Sequence, residues 1–232
     1  MVSEDGSDRR PDLVALLAIL AAAAGLFAFL FIAERATSGE PHRLDERLLR
    51  TLREPGDPAD PIGPHWLEES CRDITALGSY AVLVPLVAFS LGCLLMVGRR
   101  GAALLVFTSS VAGLLISHLL KEYYERPRPE VVPHLVRVST ESFPSGHAML
   151  SAVVYLTLGA VLARTTAGWW AKLYILSTAV FVTILVGLSR IYLGVHFPTD
   201  VAAGWAVGMA WALVCWLVER SLQSRGLESG ER

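Results

Sequence analysis

Seven side chains with the right chemistry to act together fall in three short polar stretches of an otherwise apolar half-chain. They are Lys121 and Arg128 in KEYYERPRP (121–129), Ser145 and His147 in PSGH (144–147), and Arg190, His196 and Asp200 in SRIYLGVHFPTD (189–200). Ionisable groups are costly beside lipid, and where they occur among apolar helices they are usually functional. The types also fit one another. Three cations and a hydroxyl can hold a phosphate, and two imidazoles with one carboxylate can break its ester bond.

Each stretch has its own local logic. Lys121 and Arg128 stand seven residues apart, a spacing that aligns them on one helix face. Pro127 and Pro129 each push the preceding residue toward extended backbone, so the helix bearing Lys121 is expected to end near Tyr124, with Arg128 on a stiff loop. Alone, the stretch also reads as two cations snorkelling at a membrane end. Ser145 is a natural N-cap, and the free N–H groups of the helix that follows favour an anion. Gly146 leaves room for a ligand oxygen to approach the backbone, and His147 faces the same place. Without its neighbours this motif reads equally as a capped helix with an incidental histidine.

In the third stretch His196 and Asp200, four apart, have the spacing of a metal-ligand pair. Pro198 disfavours a regular helix between them, and Lys121, Arg128 and Arg190 would repel a cation. A carboxylate beside an imidazole orients the ring and stabilises its charged form. With no serine or cysteine in this stretch placed to attack, His196 is the better nucleophile. Ser189 reads as a helix-end residue.

The elements that must position these groups are membrane spans. The chain has 232 residues, 53% hydrophobic and 18% charged, well below the charged share of about 25% in soluble domains. A net charge of −2 gives no footing for nucleic acid. Cys71, Cys93 and Cys215 are too few and too scattered for a disulfide framework or a zinc site. Eighteen arginines against two lysines fit a GC-rich bacterial genome. Leu13–Ala33 carries no charge and is long enough to cross a hydrocarbon core; it exceeds a signal-peptide core and is expected to stay as an anchor. Further spans are expected over Ile74–Gly98, Gly101–Leu120, Ala148–Ala163, Leu173–Ser189 and Val201–Val218, the last three lengthened by their flanking motif residues.

The expected fold is therefore all-α, a six-transmembrane helical bundle. Between spans one and two, Pro41–Glu54 places Leu44, Leu48, Leu49 and Leu52 on one helical face, either an interfacial amphipathic helix or one packed on the bundle. The Pro/Gly-rich run 54–64 is expected to be irregular. The chain divides into a disordered tail (1–11), a block of two spans (12–100) holding the extramembrane segment 34–73, a core of four spans (101–218) and a tail (219–232). Six spans place the end of the third, start of the fourth, end of the fifth and start of the sixth on one membrane face, and all three polar stretches sit at those ends.

Basic residues favour the cytoplasmic side of short loops. The termini side carries nine of the twenty and the motif side eleven, so the raw count does not decide. The tight Arg99-Arg100 turn, with Arg9 and Arg10, favours cytoplasmic termini in a bacterial inner membrane and an outward, periplasmic motif face. His118 could touch the site but is expected rather to pack against a neighbour, His134 and Arg137 to lie where a headgroup could touch them, and Trp169 and Trp170 to sit in an interfacial aromatic belt.

Taken jointly, the three stretches resemble the signature of the type 2 phosphatidic acid phosphatase (PAP2) superfamily: K-x6-R-P, P-S-G-H and S-R-x5-H-x3-D, in order and without departure at any position. The resemblance implies phosphate binding by Lys121, Arg128, Ser145, Gly146 and Arg190. It implies attack by His196 to form a phosphohistidine, with Asp200 fixing its tautomer, and His147 protonating the leaving oxygen. No metal or other cofactor is implied. The expected substrate is a lipid phosphate or diphosphate in a membrane, with undecaprenyl diphosphate ahead of phosphatidylglycerophosphate and phosphatidic acid. The alternatives are the superfamily's soluble branch of haloperoxidases and acid phosphatases, which six spans disfavour, and a lipid-phosphate binding or transport protein without turnover, which would not require both histidines and Asp200. None of the motifs encodes an oligomeric state. The stretch Arg72–Ser79 resembles one ahead of the second span in bacterial relatives, with no role attached.

Overall fold

The computed structural model describes residues 13–37, 43–138 and 140–229, the side chains of 37 and 223–229 excepted. The expected tail 1–11 and residues 230–232 lie outside the described residues. Helix α1 (Leu13–Thr37) is followed by a short helix α2 (Arg43–Thr51) and a two-stranded hairpin, β1 (Arg53–Glu54) and β2 (Asp57–Pro61). Then come α3 (His65–Ala76), α4 (Tyr80–Met96), α5 (Arg100–Tyr124), α6 (Gly146–Thr165), α7 (Trp169–Tyr192) and α8 (Pro198–Ser229).

Among the described residues five helices are long and apolar enough to cross a membrane: α1, α5, α6, α7 and α8 as far as Leu222. They are apolar all round, the pattern of a span rather than of a surface helix, and they turn Phe27, Leu104 and Phe181 outward. The stretch expected as the second span is divided, and the count reaches six only if its two helices are taken as one span. Instead of one helix over Ile74–Gly98, α3 and α4 meet at a 45° bend. Gly78 stands at the break, where a Cβ would collide with Val186 and lie 3.2 Å from His147 Cβ. Ser79 takes extended geometry to start α4. The flanking motif residues do lengthen α6, α7 and α8 beyond the uncharged runs, as expected.

Small residues let the helices approach closely, as in other membrane bundles. A Cβ on Gly25 of α1 would come within 2.9 Å of the Ala206 carbonyl oxygen on α8. On α8 itself, Gly204 and Gly208 face α6, where a Cβ would meet the Ser145 and Met149 carbonyl oxygens at 2.7 and 2.6 Å. This contact brings the start of α8, with Asp200, against the start of α6, and the Ser145 N–H donates to the Asp200 carbonyl at 3.0 Å. Phe143, fully buried, stacks on Phe29 of α1 and meets Tyr124 edge-on at 5.0 Å between centroids. It pins the segment before α6 to the end of α5.

The extramembrane segment departs from expectation in two ways. The amphipathic helix forms, but its leucines divide: Leu49 is buried with Val132 and Phe197, while Leu44 and Leu48 are 75% and 51% exposed. Residues 54–64 are not irregular throughout. Gly56, at a φ of 100° open to glycine, turns the chain so that β1 pairs antiparallel with β2. The buried Arg53 side chain donates to the Tyr192 carbonyl at 3.0 Å and ties the hairpin to the end of α7. The expected tail from residue 219 begins as helix, because the α8 backbone continues through Ser229.

Candidate active site

The end of α5 sets the first group. The helix stops at Tyr124, and Glu125, at φ 45°, makes the left-handed C-cap, its N–H bonding the Lys121 carbonyl at 3.0 Å. From there the chain runs extended through both prolines, which places Arg128 on a loop as its sequence requires. Arg128 Nε donates to the Thr140 carbonyl at 2.7 Å, and Nη1 donates to the Val195 carbonyl at 2.6 Å. The same Nη1 lies 3.3 Å from His196 Nε2. Lys121 Nζ donates to the Glu141 carbonyl. Two cations are thereby fastened to the backbone of the segments on either side.

His196 occupies the turn between α7 and α8. That turn depends on Gly194, whose φ is 72° and where a Cβ would lie 2.9 Å from Val132. The imidazole is almost wholly buried, Nε2 toward Arg128 and Nδ1 toward α8. Asp200 Oδ2 lies 3.5 Å from Nδ1, long for a direct hydrogen bond. The Ser142 hydroxyl fills the gap, 3.4 Å from Nδ1 and donating to Oδ2, and the Phe197 N–H donates to Oδ2 at 2.9 Å. Burial pushes the His196 imidazole down to about 3, against the upward pull of Asp200 and with Arg128 and Arg190 adding to the fall. The ring is neutral at neutral pH, the form a nucleophile needs.

Arg190, at the end of α7, is buried; Nη1 donates to Thr75 Oγ1 at 3.0 Å and Nε has no hydrogen-bond partner. Lys121, Arg128, Gly146, His147, Arg190 and His196 line one cavity of 340 Å³. Ser145 and Asp200 lie behind its wall. Ser145 does occupy the N-cap position of α6, but contrary to expectation its side chain makes no capping bond. Its hydroxyl is buried without a partner. Among the described residues no three His, Cys, Asp or Glu side chains are grouped to hold a metal ion.

The PAP2 superfamily model matches residues 102–223, a span that contains all eight candidate residues and both ends of the cavity's cationic wall. The chain belongs to the PAP2 superfamily. Over 147 residues it is 37% identical to phosphatidylglycerophosphatase B of Bacillus subtilis, covering 62% of this chain and 71% of that one. A decaprenylphosphoryl-5-phosphoribose phosphatase of Mycobacterium tuberculosis is 31% identical over 142 residues, 60% of this chain and 73% of its own. Among solved structures, a transmembrane PAP2-type phosphatidylglycerolphosphate phosphatase from Bacillus subtilis superposes with a TM-score of 0.77 at 28% identity. That match covers 86% of this chain and 96% of the other. The fold is that of PAP2 membrane phosphatases.

Several residues of this PAP2 site escaped the sequence reading. Arg126 sits inside the first motif, yet its side chain turns away from the cavity to bond Asp200 Oδ1. Ser142 lies two residues before Pro144. Thr75 gives the Arg72–Ser79 stretch a contact with Arg190. Asp45 comes from α2, outside the matched span. Only Arg126 carried a signal, as a third cation among prolines. The three peripheral residues divide. His118 does not pack inward; its side chain is 68% exposed at the cavity rim, 3.2 Å from Glu122. His134 Nε2 donates to the Pro129 carbonyl at 2.7 Å. Arg137 does reach the cavity lining.

Proposed function

We propose that the protein removes the terminal phosphate of a membrane lipid phosphate or diphosphate through a phosphohistidine at His196, without a metal ion. The observation that carries this reading is the arrangement at His196: a neutral, buried imidazole whose Nε2 sits beside Arg128 in a cationic cavity, while Nδ1 faces a carboxylate. Lys121, Arg128 and Arg190 hold the non-bridging oxygens and the charge that builds on them. His196 Nε2 attacks phosphorus in line, the phosphorus–oxygen bond to the lipid breaks, and His147, protonated once the negative phosphate lies beside it, delivers its proton to the departing oxygen. His147, now neutral, takes a proton from water as that water attacks the phosphohistidine, and inorganic phosphate leaves. The Ser142 hydroxyl accepts from Nδ1 and donates to Asp200, whose carboxylate balances the charge on the ring during both steps. An alanine methyl at position 146 would rest 3.5 Å from Lys121 Cε and Ser117 Oγ. Packing therefore tolerates a side chain there, and the bare backbone serves an approaching oxygen.

The lipid nature of the substrate is supported by a second cavity. An apolar groove of 230 Å³ between α4, α5 and α6 is lined by Val84, Val87, Phe107 and Leu114 and shares Tyr80 and Leu150 with the catalytic cavity. A chain attached to the reacting phosphate fits along it. Arg137 lines the mouth and makes no hydrogen bond or ion pair among the described residues. It is placed for a second, non-reacting phosphate, which favours undecaprenyl diphosphate or phosphatidylglycerophosphate over phosphatidic acid. Purified protein in excess chelator should release phosphate from the two-phosphate lipids with at least about tenfold higher kcat/KM than from phosphatidic acid, one well-placed charge-assisted contact being worth that much. A strict requirement for added metal would sink the mechanism, and a preference for phosphatidic acid would sink the headgroup assignment.

The same reading puts the termini in the cytoplasm and the cavity on the outer face of a bacterial inner membrane. The tight basic turn at Arg99 and Arg100 supports it. With the natural cysteines replaced, a Glu130→Cys chain should be labelled from the periplasmic side by a membrane-impermeant maleimide. Labelling only after the inner membrane is permeabilised reverses the orientation.

A further inference from the structure

A line of buried charged groups leads from the catalytic cavity to α2. Behind His196 stands Asp200, fully buried, which accepts from Arg126 Nη1. Arg126, 4% exposed, reaches the other way with Nη2 to Asp45 Oδ2 at 3.2 Å. Asp45 is itself 4% exposed. It accepts the Thr199 N–H at 3.1 Å and the Thr199 hydroxyl at 2.5 Å, and that hydroxyl also accepts from Arg126 Nη1 at 3.0 Å. The Arg126 guanidinium lies over the Phe197 ring, 4.4 Å from its centroid. Every residue from Phe197 to Asp200 except Pro198 is therefore touched by Arg126, by Asp45 or by both.

Burying a carboxylate is costly unless it is paired, and a buried ion pair is weak evidence for stability. A nine-residue helix that already anchors itself through Leu49 does not need a buried charge to stay in place. What the charge does is divide one guanidinium between two carboxylates. Held from both sides, Arg126 meets Asp200 in one geometry; held from one side, it is free to close on Asp200 and pull the first turn of α8 with it. The His196 ring is linked to Asp200 through Ser142, and Thr199 lies in the first turn of α8, next to Asp200. We propose that Asp45 is a positioning residue for the nucleophile, acting through Arg126 and Thr199 on Asp200 and hence on the direction of His196 Nε2. The inference rests on the assignment of His196 as nucleophile and adds a residue from outside the PAP2-matched span.

Asp45→Asn tests it, because the amide keeps an acceptor for the Thr199 N–H while its NH2 group replaces the oxygen that accepts from Arg126 and from the Thr199 hydroxyl. The expected result is a fall in kcat of about 10²-fold, the cost of a small misplacement far from the chemistry. KM should stay within about twofold, since Asp45 touches none of the cavity cations. Combined with Arg126→Gln, it should slow the enzyme no further than Arg126→Gln does alone, as two residues acting in one line are non-additive. Wild-type kcat in Asp45→Asn, a loss confined to KM, or multiplying losses in the double variant would each overturn the inference. Thr199→Val leaves both ion pairs intact and carries the same test if Asp45→Asn does not yield folded protein: kcat falls at constant KM, and an undiminished kcat overturns it. His196→Ala, assayed alongside, separates the two readings. Turnover surviving there removes the nucleophile assignment, whereas a dead His196→Ala beside an undiminished Asp45→Asn removes only the role of Asp45.

Discussion

His196→Ala should lower kcat by about 10⁵-fold or more, the scale of loss when a covalent nucleophile is deleted. Nε2 is the ring nitrogen that opens to the cavity, because Nδ1 is taken up with Ser142 and Asp200. Neighbouring groups do not replace it. Lys121 and Arg128 are committed as donors to carbonyl groups, and the Ser142 hydroxyl donates to Asp200. The phosphate cradle survives the change, so substrate should still bind with KM altered by only a few fold, and the residual rate is that of water attacking a held phosphate. Because the ring is buried, the variant also leaves a cavity; His196→Gln, closer in volume, controls for that and should be equally inactive. Rapid quench of the wild-type enzyme with labelled substrate should trap an alkali-stable, acid-labile phosphoenzyme that neither variant forms. A variant that still makes this species, or turns over within tenfold of wild type, takes the role away from His196.

What could be read from sequence, and what could not, follows from the kind of constraint each residue satisfies. Lys121, Arg128, His147, Arg190 and His196 were found because charges at the ends of apolar helices stand out by cost, and counting spans put those ends together. The helix end at Tyr124 was equally legible, since the two prolines leave the chain no helical path. Gly204 and Gly208 were not singled out: a glycine in an apolar run has no signature until α6 lies against it. Asp45 was invisible for a similar reason. On a polar helix an aspartate looks like solvated surface, and only the fold shows that it points inward to Arg126. The break at Gly78 was missed because Ile74–Gly98 is continuous in hydropathy, and hydropathy says nothing of where His147 and Val186 will press. Arg126 falls between these cases. Its charge was in view, but a loop of three cations offers no rule for which of them face the cavity.

Arg128→Ala should lower kcat/KM by about 10³-fold, the upper range for removing one preorganised donor to a developing oxyanion. The guanidinium is held by backbone carbonyl groups. Nε and Nη1 are bound to the carbonyl groups of Thr140 and Val195 at 2.7 and 2.6 Å, so its orientation is set before substrate arrives. Burial lowers the Arg128 pKa, but the Asp200 and Glu141 carboxylates pull the other way, and a guanidinium keeps its charge. Nη1 stands 3.3 Å from the attacking nitrogen, so an oxygen on the phosphorus under attack comes within its reach. As the phosphoryl group passes from the lipid oxygen to Nε2 it moves toward Arg128, and the interaction is stronger in the transition state than in the bound substrate. The loss should therefore fall on kcat rather than KM. Inhibition by vanadate, which takes the trigonal-bipyramidal shape of the transition state, should weaken by a factor close to the loss in kcat/KM. Arg128→Lys should recover less than about tenfold, because an ammonium cannot hold two carbonyl groups and the phosphate in one plane. If KM rises by the full factor while kcat stays constant, Arg128 binds ground state and transition state equally, and its selective contact with the reacting phosphoryl group is misplaced.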